Sequence, residues 1–316
     1  MNLLIFALGR LLSAIPVLIG VTVVVFLSVQ LVPGDIAVSI LGRMATQDQL
    51  QALRQAMGLD QPLVVQYGRW FAALLQGDIG MSLALQLPVA QILVPKIWNS
   101  LILMGGSLVL VLVTGFLLAA VSAPRFRSPI DRAVVALTLV LASLPVFWLG
   151  IVMLYFLAFK WKFFPISGMY NVVNPGGVAD LLHHMVLPAI VTAASSVAVV
   201  ARVTRSRMID VLGEPYILAA RARGLTRRQV VMRHGVRNTL PTFASIGGLQ
   251  IGYLFGGVVF TEIIFNWPGV GLQLYDAILA RDVPMIQGCV LVVAAVFVLG
   301  NLISDIAVYA LDPKKG

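Results

Sequence analysis

Long apolar runs alternate with short polar breaks along most of this chain. Six runs reach the roughly 20 residues that a helix needs to cross a bilayer: 11–32, 101–123, 133–159, 185–203, 242–261 and 286–311. A helix satisfies its own backbone, so such runs are stable in lipid. The pattern therefore predicts an all-α membrane protein with six transmembrane helices. It divides the chain into an N-terminus with the first span (1–32), an outer loop (33–100) and a five-helix core (101–311). The core contains a polar loop over 204–241, and a short tail follows at 312–316. Arg10 precedes the first run as in a signal peptide, but the run is too long for a signal core and no Ala-x-Ala site follows. It reads as a retained anchor.

The outer loop has its own periodicity. Thr46 and Gln49 form a capping box, Gly58 closes that helix, and Leu50, Leu53 and Met57 share one face. Pro62 begins a second amphipathic helix that ends near Gly77 and carries Trp70, Phe71, Leu74 and Leu75. Both are expected to lie at the membrane–water interface rather than form a separate domain. Later loops contain a turn at Asn174-Pro175-Gly176-Gly177 and an ordered-looking segment over 262–287.

The break from Glu214 to Pro241 has the most complete end signals. Pro215 suits the first position of a helix, Glu214 sits at its positive end, and Arg221 and Arg223 sit at its negative end. Gly224 can take the left-handed conformation that stops it. Thr226 and Gln229 then make a second capping box, with Leu225 and Val230 as the staple. The prediction is a short helix, a tight turn and a second helix. Ala219, Ala220 and Ala222 give the first helix a low profile that a partner can approach.

Composition agrees with lipid as the solvent: 59% of residues are hydrophobic and 11% are charged, against about 25% charged in soluble domains. The net charge of +9 changes the picture only through its distribution. With the N-terminus inside, fifteen of the 22 Lys and Arg fall on inside segments, nine of them arginines between Arg202 and Asn238. That bias predicts both termini in the cytoplasm. It also argues against nucleic acid, because the basic helix pair is short and pinned between two spans.

Several chemistries find no support. No lysine follows a glycine, so there is no Walker loop, and ATP-driven work would need a partner's ATPase. His183 and His184 are adjacent and diverge on a helix, without further ligands at metal-site spacing. No metal, cofactor or catalytic residue is assigned. Gly80 to Ala84 approaches a nucleophile elbow, but no histidine or acid partner is evident. An intramembrane hydrolase is the alternative it would support, and a passive channel or scaffold is another. Polar residues within spans call for a function or a partner. Gln250, Glu262, Asn301 and Asp305 are candidates for a solute path or gate. Bonding between helices near the cytoplasmic end explains Asn301, Ser304 and Asp305 more simply. Close packing explains Gly247, Gly248, Gly252, Gly256 and Gly257 around Gln250.

The polar loop resembles the cytoplasmic coupling loop of ABC importer permeases. The family's Glu-Ala-Ala-x-x-x-Gly register falls on Leu218, Ala219, Ala220 and Gly224, with leucine in the glutamate position, and Leu240-Pro241 fits its ending. The resemblance continues through 31–35 (LVPGD), 58–62 (GLDQP), 77–82 (GDIGMS), Ser143-Leu144-Pro145 with Phe147-Trp148, His184 with Leu187-Pro188-Ala189, 261–271 (TEIIFNWPGVG) and Arg281-Asp282 with Pro284. It covers essentially the whole chain and is similar to the first permease of dipeptide, oligopeptide, glutathione and nickel importers. It implies a type I importer architecture in a bacterial inner membrane and a second, related permease. It also implies two ABC ATPases that bind ATP and Mg, and a solute-binding protein outside. Glu214, Tyr216, Ala219, Ala220, Arg221, Arg223 and Gly224 would then be the ATPase-coupling residues. The solute itself is left open.

Overall fold

A computed structural model describes residues 3–30, 46–58, 60–171, 173 and 175–311. The LVPGD motif, the 312–316 tail and the start of the outer loop lie outside the described residues, as do Leu59, Asn174 and the side chains of Leu53 and Met57. Helices dominate. Helix α1 (Leu3–Gln30) is followed by α2 (Gln47–Met57) and α3 (Leu63–Leu75). Then come α4 (Val89–Ser122), α5 (Pro129–Ser143) and α6 (Val146–Met153), which runs on as a π turn (Leu154–Lys160). Helix α7 (Gly177–Gly213) leads into α8 (Pro215–Ala222) and α9 (Arg227–Val230). A π turn (Val231–Val236) joins α9 to α10 (Arg237–Ile264), and α11 (Val270–Ala280) and α12 (Val283–Leu311) complete the chain.

Five helices are long and apolar enough to cross a membrane, and the α5–α6 pair makes a sixth span if it counts as one. The third span expected over 133–159 is this pair, and it is broken rather than straight. The pair bends by 103° at its break. Pro145 has no N–H to continue the ladder and holds Leu144 extended at ψ 125°, as the residue before a proline prefers. The pair still passes from one end of the bundle to the other, because its partners climb α7 in order. Asp131 meets Arg205, a side chain at Gly150 would touch Val191, and the Phe163 carbonyl meets His183.

The other spans outrun their apolar cores. Helix α7 is 37 residues long, although 185–203 alone would cross a bilayer. It is the central post of the bundle and supplies the longest row of buried residues, including Leu187, Val191, Val200 and Met208. Apolar clusters join it to α4 and α10 (Val111, Val197, Leu254) and to α6 (Ala158, Leu187, Phe265). Gly115 lies where a Cβ would come 2.8 Å from Val200, so α4 approaches α7 closely there.

The outer amphipathic helices form as expected. Both halves of the Thr46–Gln49 capping box are made, and Gly58 caps α2 at φ 66°. Helix α3 buries no residue fully, but its aromatic face rests on α1. Tyr67 hydrogen-bonds Thr22 at 2.8 Å and meets Phe26 edge-on at 5.5 Å.

Candidate coupling segment and candidate solute path

The polar break folds as its end signals dictate. Glu214 is extended at the N-cap of α8 without a side-chain cap bond, and Pro215 takes the first position. Gly224 stops the helix at φ 87°. Its N–H bonds the Arg221 carbonyl and that of Leu225 bonds Ala220. The Arg223 side chain folds back on the Ala219 carbonyl at 3.3 Å, so this arginine caps its own helix. Thr226 and Gln229 complete the second capping box. The second helix is not a separate short one. Through the π turn it continues into α10, so coupling segment and fifth span form one helical rod from Arg227 to Ile264.

Burial divides the candidate coupling residues. Ile217 and Ala220 face inward and are buried. Ala220 is therefore corrected from an approach surface to a packing residue: its small side chain lets α8 lie close on its own chain. Glu214, Tyr216, Ala219, Arg221, Arg223 and Gly224 are exposed, and Leu218, in the family's glutamate position, is 67% exposed. Asn238 at the foot of α10 bonds Tyr216 at 3.3 Å and so props the exposed side of α8.

This end of the bundle is braced by groups that sequence reasoning passed over. Asp131 accepts two bonds from Arg205, both 2.7 Å, and a third from the Arg127 backbone. A bidentate guanidinium–carboxylate pair fixes orientation as well as distance. It ties the start of α5 to α7. Arg227 donates to the carbonyl of Pro124 and ties α9 to the corner after α4. Ser128 caps α5 through the Asp131 N–H, so the Ser-x-x-Asp spacing was the available signal for Asp131.

The four candidate path residues do not converge. Among the described residues no two of them share a hydrogen bond. Gln250 is buried and its amide returns to Ile246 on its own helix. Asn301 packs where a Cβ on Gly252 would come within 2.6 Å, and Ser304 stands the same way over Gly248. The glycines thus admit α12 against α10. Asp305 pairs with Arg10 at 3.3 Å, joining the last helix to the first.

Glu262 sits at the opposite end, fully buried. It accepts from Ser100 at 2.5 Å and from the Gly271 N–H at 2.6 Å, while Ser100 accepts from Val270. Beside it the Trp267 indole donates to the Asn99 carbonyl and Asn99 donates to Pro268. The 261–271 motif is therefore a turn folded around one carboxylate and pinned to α4. Asn99 and Ser100 were missed because they lie about 160 residues away in sequence.

A second buried carboxylate knots the same end. Asp282 accepts from Ser82 at 2.5 Å, from the Ala84 N–H and, as the N-cap of α12, from the Met285 N–H. This corrects the expectation that Ser82 has no acid partner. The acid contacts the serine directly, and the three histidines are engaged elsewhere: His183 with Phe163, His184 with Asp180, and His234 against Tyr216. No histidine reaches this serine, and its hydroxyl is held between Asp282 and the Leu85 N–H, which donates to it; a histidine-activated nucleophile is therefore not assembled here among the described residues.

Comparison with known proteins follows the same two ends. A profile described as "Binding-prot-dependent transport system membrane comp, N-term" matches residues 3–88, and one described as "Binding-protein-dependent transport system inner membrane component" matches 111–316. The chain is 35% identical to a dipeptide transport system permease protein of Escherichia coli (strain K12), with 98% of each chain covered. It is 34% identical to an oligopeptide transport system permease protein of Bacillus subtilis (strain 168), again over 98% of each. A probable peptide ABC transporter permease protein of Sinorhizobium fredii is likewise 34% identical over 98% of each. With both profiles matched and relatives aligned from end to end, this multi-pass helical chain belongs to the inner membrane components of binding-protein-dependent transport systems, the permease family of ABC importers.

Proposed function

We propose that this chain is the permease subunit of an ATP-driven importer that carries peptides across a bacterial inner membrane, with both termini in the cytoplasm. The observation that carries the reading is the exposed side of α8. Tyr216, Leu218 and Ala219 form a small, partly apolar surface beside Arg221, on a helix whose other side is locked to the rest of the chain. An exposed apolar patch on a braced polar segment is suited to a protein partner. The partner here is one of two ATPases, which bind ATP and Mg. A second, related permease completes the pathway, and a binding protein delivers the solute from outside. ATP binding closes the ATPases, moves α8 and switches the pathway between outward and inward access. The names of the relatives support peptides as the solute class. A passive channel would have no use for so elaborate a cytoplasmic handle.

Gly224 offers the direct test. Its φ is 87° and no atom lies within 4 Å of a Cβ placed on it, so Gly224→Val strains the turn without creating a clash. Reconstituted complexes carrying Gly224→Val are expected to insert normally. They are expected to lose peptide uptake and the ATP hydrolysis stimulated by peptide-loaded binding protein. Normal uptake would overturn the assignment.

A further inference from the structure

We infer that the corner between α4 and α9 is a binding site for one anionic phospholipid. The corner forms an open cleft of about 380 Å³ lined by residues that include Ala120, Pro124, Arg125, Arg227, Arg228 and Met232. Three arginines therefore line one small space. Among the described residues none of the three has a carboxylate within 4 Å; the arginine–carboxylate pairs found there are Arg10 with Asp305 and Arg205 with Asp131. Two of the three are held in place by backbone carbonyls. Arg125 donates to Val121 at 2.9 Å, and Arg227 donates to Pro124. Fixed, uncompensated cations at one point are suited to a phosphate.

The remaining lining explains why the phosphate belongs to a lipid. Met232 lies one turn beyond Arg228 and is 61% exposed, so an apolar side chain faces outward beside the charges. On α4 the exposed residues Val109, Val113, Leu117 and Val121 recur every four positions and lead to Arg125. That stripe is about 18 Å long at 1.5 Å per residue, close to the roughly 15 Å depth of one leaflet. An acyl chain laid along it brings its headgroup phosphate to Arg125, Arg227 and Arg228. Phe126, exposed and with the Arg127 guanidinium 5.2 Å from its ring, sets a further apolar surface beside a cation at the same corner. Basic pockets at the cytoplasmic ends of spans hold lipid headgroups by this chemistry. The inference rests on the cytoplasmic placement proposed above for its choice of leaflet.

Native mass spectrometry of the purified, complete complex tests it, because lipid adducts are read without transport and their loss is distinct from a loss of uptake. Phosphatidylglycerol, phosphatidylcholine with the same chains, and glycerol phosphate are each titrated in. Phosphatidylglycerol is expected to leave one retained adduct per copy of this chain. Arg228→Gln should weaken it about fivefold, and Arg125→Gln with Arg228→Gln about 25-fold, from the electrostatic worth of each cation near a membrane surface. Arg132→Gln, an exposed arginine outside the cleft's lining, should change nothing, and Met232→Ser should weaken the lipid adduct. Equal retention of phosphatidylcholine would overturn the site. So would glycerol phosphate binding as tightly as the lipid, which would mean a soluble anion pocket. Release of the ATPases by Arg228→Gln with the lipid adduct unchanged would assign the corner to a protein partner and overturn it too.

Discussion

The two ends of this bundle are built on opposite principles. At one end two carboxylates, Glu262 and Asp282, are taken out of water and bonded by hydroxyl and backbone donors, most of them from distant parts of the chain. At the other end the polar groups stay wet. Nine arginines lie between Arg202 and Asn238, and most are exposed on a segment whose order comes from caps and one bidentate pair. A buried, fully bonded carboxylate is costly to disturb, because every donor that it served is left unsatisfied. A capped surface helix can shift as a body while keeping its own bonds. The end that holds the two carboxylates is therefore a fixed frame, and the arginine-rich end is a handle.

Substitutions of decreasing severity sharpen that contrast. The largest effect is expected at Gly271. A Cβ there would come 2.6 Å from the Val259 Cα and 2.7 Å from its carbonyl, and backbone cannot step aside as a side-chain tip can. Gly271→Ala should leave little folded protein in detergent, measured as the monodisperse fraction on size exclusion; a normal yield would show that the frame is soft. Glu262→Ala comes next. It strands Ser100 and the Gly271 N–H in a sealed site and should destabilise by about 3 kcal/mol, seen as a lower melting temperature. Asp131→Asn, at the handle, removes the charge that holds Arg205 and should cost about 2 kcal/mol. Its melting temperature should fall less than that of Glu262→Ala. The smallest structural effect belongs to Leu218→Arg, which puts a cation where the family pattern has a carboxylate, within about 0.5 kcal/mol as for ordinary surface changes. That variant should nevertheless fail to retain the ATPases on co-purification. Undiminished retention would move the docking surface off α8.

How far each end was legible follows from the range of its interactions. The handle could be read because its determinants are local. Pro215 starts a helix, Gly224 stops it, and Thr226 with Gln229 starts the next, all within fifteen residues. The spans were legible because lipid demands a composition. The bend at Leu144-Pro145 was not, although the proline is plain, because hydropathy continues through it and only packing against α7 decides whether a membrane proline kinks its helix. The inward turn of Ala220 was hidden for a similar reason: a row of alanines does not say which of them the chain keeps for itself. The frame was the least legible. Ser82 and Asp282 are 200 positions apart, and nothing in one sequence marks two polar residues as partners across that distance.

The unbroken path from α9 through the π turn into α10 has a mechanical consequence. Its 38 residues make a continuous helical rod of about 57 Å. One end carries the arginines next to the handle, and the other carries Glu262 inside the frame. Near the middle Gly247, Gly248 and Gly252 let Leu112, Ser304 and Asn301 press directly on its backbone. Side chains crowding a rod at its midpoint act as a fulcrum. With Glu262 anchored at one end and the crowded glycines at the middle, any tilt of the rod is confined to its basic half, so the same helix that is rigidly seated at one end is the lever arm at the other.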